Sequence, residues 1–170
     1  RLDHLARPSD PIFLRWLRDS AQRSDLTNFA LAHRRDRTGL QSLVFEHSHV
    51  FSPNVINTER LGWTRSSALL GETTGYARAV DPGRLAFLPG APGPGLVITA
   101  GLSTFEGAPG ALDHDRSRFD SFQWYEDLTV IRKRHWVRMG ASFEASVFDF
   151  DSRTIPLGEF TFATLADLLQ

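Results

Sequence analysis

The chain contains no cysteine. That excludes a disulfide framework, a zinc–thiolate centre and a thiol nucleophile, and it favours a reducing compartment. Long apolar runs are also missing. No stretch reaches the roughly 18 residues that a membrane-spanning helix needs. No basic-then-apolar signal peptide opens the chain, although it begins with Arg1 rather than Met, which leaves room for a removed leader. Lysine is almost absent: Lys133 is the only one among 19 basic residues, and the rest are arginine. That bias fits a GC-rich, bacterial genome. Charge of one sign does not dominate either. The net charge is −1 with a pI near 6.7, so a global pull toward nucleic acid or an anionic membrane is lacking. There is no Gly-x-Ser-x-Gly elbow, no Walker-type phosphate loop and no internal repeat.

What is present suits a folded domain. The chain has 170 residues, 41% of them hydrophobic and 11% aromatic, with 13 Phe. A chain of this length can bury roughly two-thirds of its unfolded surface in one core. Composition therefore predicts a single soluble, cytoplasmic domain over 1–170, with 1–8 as a flexible arm and no membrane contact.

Patterning predicts an α+β fold. Ser9 or Asp10 can cap a helix and Pro11 suits its first turn; Ile12, Phe13, Trp16 and Leu17 follow at helical spacing. An N-terminal amphipathic helix is expected over 10–23. Residues 28–33 and 42–51 read as strands joined by a polar loop at 34–39, and 63–70 could form a short helix. Asp81-Pro82-Gly83 is expected to turn a hairpin between 74–80 and 84–88, with a third strand over 96–105. Residues 119–139 fit either period, and β-branched Thr129-Val130-Ile131 favours strand. A last hairpin is expected around Asp151–Thr154, and a short helix over 163–170. The expected architecture is an antiparallel sheet built from hairpins, flanked by these two helices.

Two clusters carry chemistry. In Glu46-His47-Ser48-His49, alternation on a strand would place both imidazoles on one face, a spacing suited to one divalent metal ion. His114 or Asp149 are the candidate partners: His47, His49 and His114 for acid–base work, and His47, His49 and Asp149 for a metal. The alternative role for the pair is that of two hydrogen-bonded strand histidines. The second cluster is Arg132-Lys133-Arg134-His135-Trp136 with Arg138. Arg132, Arg134, Trp136 and Arg138 could hold an anion or stack on a base, but near-neutral overall charge argues against nucleic acid as the main partner, and a charged sheet edge explains the run as well.

Three functional readings follow. The leading one is a non-catalytic binding domain for a protein partner or small ligand, with self-association through an open sheet edge. The second is an enzyme built on His47 and His49, with or without metal. The third is an anion or nucleic-acid binder through 132–138.

Overall fold

The computed structural model describes residues 1–27, 32–76, 81–106, 115–153 and 155–170. Nine strands are described: β1 (Leu2–Arg7), β2 (Asp10–Leu26), β3 (Ala32–Ser52), β4 (Val55–Tyr76), β5 (Leu96–Thr99), β6 (Phe105–Glu106), β7 (Asp115–Arg132), β8 (His135–Ser152) and β9 (Glu159–Phe162). A 3-10 turn at Pro82–Leu85 and a four-residue helix α1 (Leu165–Leu168) complete the elements. Two sheets result, one of six strands in the order β1-β2-β3-β4-β7-β8 and one of three in the order β6-β5-β9.

The α+β expectation is overturned. Residues 10–23 are not a helix but most of β2, and β2 pairs antiparallel with β1 (Leu2↔Leu14, Asp3↔Phe13, His4↔Ile12). The same residues satisfy both periods. Ile12, Phe13, Trp16 and Leu17 make a helical stripe, while Ile12, Leu14 and Trp16 make a strand face. Helix propensity is a weak prior, and a ladder on the flanking strand overrides it. The polar stretch 34–39, expected as a loop, continues β3: the Gly71 N–H donates to Asp36 Oδ1 at 2.7 Å, and Arg37 lies 3.7 Å from Glu72. Residues 63–70 are likewise strand, inside β4. Residues 119–139 do form strands, split by a tight turn in which Lys133 takes φ 55.

The Asp-Pro-Gly hairpin is replaced by the 3-10 turn, in which Asp81 accepts from the Gly83 N–H at 3.1 Å. Its expected first strand falls partly on 77–80, outside the described residues. The expected hairpin around 151–154 runs through Thr154, outside the described residues, and its expected second strand pairs elsewhere: β9 lies parallel to β5 (Leu96↔Glu159 through Thr99↔Phe162).

By its internal contacts the chain forms two compact units. The first comprises Arg1–Ser20, Gly39–Ser67 and Arg118–Asp149; the second comprises Ala21–Thr38, Ala68–Ser117 and Phe150–Gln170. In the first unit the tight turns Pro8-Ser9, Pro53-Asn54 and Lys133-Arg134 join β1 to β2, β3 to β4 and β7 to β8. Here β8 crosses so close to β7 that a Cβ on Gly140 would sit 2.4 Å from the Glu126 carbonyl oxygen. In the second unit a small conventional core forms: Leu96 and Val97 are buried, Pro94 is fully enclosed, and Phe87 packs on Phe160 and Phe162 with ring centroids 4.8 and 6.1 Å apart. Gly95 admits the β5 backbone to this core. Its φ is +75, and a Cβ there would lie 2.6 Å from the Gly158 carbonyl oxygen.

Little else is buried. Apart from Pro94, the buried hydrophobic residues among those described are Ala32, Leu96 and Val97. The accessible surface is 11813 Å², whereas a water-soluble monomer of this mass exposes about 8,400 Å².

Candidate functional site

Side chains two apart on a strand share a face, and cross-strand contacts in the first unit fix which side chains go together. One face carries polar pairs. Arg60 binds Glu46, Ser48 bonds Thr58 at 3.0 Å, Ser121 and Gln123 donate to Glu144 at 2.8 and 3.2 Å, and Arg138 binds Asp127 at 2.8 Å. The opposite face carries a stripe of large apolar groups. Leu43 and Phe45 on β3, Leu61 and Trp63 on β4, Phe122 and Trp124 on β7, and Phe143 on β8 line one shallow groove. Leu14 and Trp16 on β2 share this face, because they alternate with Asp10, which touches the β3 histidines.

Polar pairs border the stripe. The Trp124 indole N–H donates to Glu59 at 2.9 Å and the Asn57 amide to Glu126 at 3.4 Å, while Arg65 and Arg118 both hold the buried Asp120 at 2.7 Å. Trp124 thus keeps its ring in the apolar stripe and its N–H at the polar border, which is how tryptophan sits where apolar and aqueous phases meet. Several stripe residues are wide open: Phe122 and Phe143 are 54% and 64% exposed. In water such a surface would be a liability.

The sequence-derived candidates fall in different places. His47 and His49 lie on β3 as expected, facing the same way, with ring centroids 6.4 Å apart. Their partner is neither His114 nor Asp149. His114 lies outside the described residues, and Asp149 is exposed on β8, apart from the cluster. The carboxylate that joins them is Asp10, at the turn that opens β2: Oδ1 pairs with His49 Nδ1 and lies 3.5 Å from His47 Nε2. Hydrogen bonds from Ser9 and then His49 hold the Asp10 carboxyl down at about 2. Reading residues 10–23 as a helix hid this residue. A strand reading would have set Asp10 at the end of β2, within reach of β3. The basic run proves to be the β7–β8 turn. Arg132 ends β7, Arg134 is in the turn, Trp136 is 75% exposed, and Arg138 is paired with Asp127.

A cavity of about 260 Å³ in the second unit is lined by Leu85, Phe87, Pro94, Val97, Thr99, Leu102, Ser103 and Leu168. The buried Thr99 hydroxyl has no hydrogen-bond partner among the described residues.

The model of the family described as "Outer membrane beta barrel domain" matches residues 1–169. The chain belongs to that family. No curated protein and no solved structure matches it.

Membership in the outer membrane barrel family corrects several expectations together. The family places the protein at the bacterial outer membrane, not in the cytoplasm, and membrane association replaces the expected absence of membrane contact. The soluble binding domain, and with it the enzyme and nucleic-acid alternatives, gives way to a membrane barrel protein. These expectations share one assumption, that the chain folds against water and could cross a membrane only as a helix. No helix among the described residues is long and apolar enough to cross a membrane, which says nothing of strands. A barrel strand spreads its apolar residues over every second position, so no long run ever appears.

Proposed function

We propose that the chain forms wall of a membrane-embedded β-barrel, with the Leu43–Phe45–Leu61–Trp63–Phe122–Trp124–Phe143 stripe turned to lipid and the Glu46–Arg60 and Ser121–Glu144 face turned to the barrel interior. The carrying observation is the alternation itself: large apolar groups exposed on one face and hydrogen-bonded polar pairs on the other. In hydrocarbon an exposed stripe is solvated, while the backbone must be satisfied by strand pairing. Strands β2, β3, β4, β7 and β8 have 17, 21, 22, 18 and 18 residues, more than the roughly 9–11 a tilted strand needs to span. The stripe takes up only the middle of these strands, between the polar pairs that border it, and Asp10 and the three tight turns lie beyond it.

Connection lengths suggest a sidedness. Three tight turns join strands at one set of ends, while the β4–β7 connection carries β5 and β6. Outer-membrane barrels keep short turns on the periplasmic side and long segments outside, which assigns the tight turns to the periplasm.

Single-tryptophan variants test the reading in vesicles containing brominated phospholipid. Trp63 and Trp124 emission should be strongly quenched and Trp136, on the polar face, spared. Equal quenching of all three, or of none, would discard the assignment of faces.

A further inference from the structure

Asp10, His47 and His49 are the one group of three metal-ligating side chains brought together among the described residues, with donor atoms all within 4.8 Å of one another. Donors around a tetrahedral zinc ion, on bonds of about 2.0–2.1 Å, stand about 3.4 Å apart. His47 Nε2 and Asp10 Oδ1 already stand 3.5 Å apart.

The surroundings orient the ligands, and His49 Nδ1, now in direct contact with Asp10 Oδ1, has to draw back to admit an ion. The Ser9 hydroxyl donates to Asp10 Oδ2 at 2.7 Å, which leaves Oδ1 aimed at both imidazoles. The Val50 N–H donates to the Ser9 carbonyl at 2.9 Å and fixes the β1–β2 turn against β3. Phe51 packs edge-on against the His49 ring at 4.3 Å and holds its orientation. Such supporting contacts orient metal ligands in known sites. Access is open on the histidine side: His47 and His49 are 36% and 35% exposed, against 14% for Asp10.

We propose that Asp10 Oδ1, His47 Nε2 and His49 Nδ1 bind one divalent first-row transition ion of the zinc type. Two imidazoles and one carboxylate suit such ions and do not suit calcium or magnesium, which take oxygen donors. The ion takes the place of the His49–Asp10 hydrogen bond, whose two atoms part to admit it. It ties the start of β2 to β3 beside the tight turns, and a fourth position stays open to water. The three ligands share the face of the apolar stripe, so the open fourth position rests on the reading that Asp10 lies beyond that stripe, at the turn end of the strands.

The test uses the full chain in detergent micelles and Zn²⁺ alone as titrant, followed by calorimetry. One ion per chain is expected, with the dissociation constant raised at least tenfold by Asp10→Asn and binding abolished by His47→Ala/His49→Ala. His135→Ala, on β8, should change nothing. A second readout needs no variant: Co²⁺ added to the unaltered chain should give the visible absorption of a low-symmetry nitrogen and oxygen site. No saturable zinc binding, zinc binding that survives the double variant, or no such cobalt spectrum would each overturn the site, leaving Asp10 as a hydrogen-bond partner that orients two histidines.

Discussion

The six-stranded sheet and the three-stranded sheet are built from similar residues and obey opposite rules. In the small sheet, Leu96 and Val97 are hidden, Pro94 is enclosed, and three phenylalanines close over them. That is folding against water, where apolar area is removed at about 25 cal/mol per Å². In the large sheet, Leu61, Phe122 and Phe143 stay exposed while Ser121 and Asp120 are buried in hydrogen bonds. That arrangement holds when the outer solvent is hydrocarbon, where exposed apolar groups cost nothing and unpaired polar groups cost several kcal/mol. Exposure alone does not distinguish a flawed core from a correct surface; the solvent does.

The largest way to break this contrast is a charge on the stripe. Phe143→Arg should destabilise the protein in vesicles by about 2–4 kcal/mol, whereas Ser142→Arg, one residue away on the polar face, should cost under about 1 kcal/mol. Urea unfolding in lipid vesicles measures both, and equal costs would remove the distinction between faces.

Next comes Gly95→Ala in the small sheet. A left-handed backbone conformation forced on alanine costs about 1–3 kcal/mol, and the new Cβ would press on the Gly158 carbonyl. Hydrogen exchange should quicken in β5 and β9 and stay unchanged in β7 and β8. Faster exchange throughout would mean that the two sheets unfold as one.

The smallest effect is expected at α1, where the Thr164 hydroxyl accepts from the Asp167 N–H at 3.2 Å and Asp167 reaches back to the Thr164 N–H at 2.9 Å. Thr164→Ala should cost about 1 kcal/mol locally. The amide of Asp167 should lose protection while the protein's unfolding midpoint hardly moves.

Much of the strand content was legible. The alternation of 42–51 and of 119–139, the His47/His49 pair on one face and a capped helix near the C-terminus all stand in the sequence, because each depends on neighbours a few residues apart. The boundary of β3 was not legible. Arg34 to Gly39 looks like a loop until Glu72 and Gly71 arrive from β4 to pair with it. Asp10 was missed for the same reason, since its partners are 37 and 39 residues away. The solvent was misjudged because a dyad repeat of moderate hydrophobicity resembles an ordinary soluble sheet.

By itself, the sequence determined the periodicities, the turn residues, the absence of thiol chemistry and the pairing of two histidines on one strand face. These follow from bond geometry and side-chain type, which are local. Only the tertiary structure decided that residues 10–26 would be a strand, that Asp10 would join the histidines, and that the apolar stripe would stay uncovered. Each of those depends on which distant strand supplies the hydrogen bonds, and a local pattern that satisfies two periods cannot choose between them.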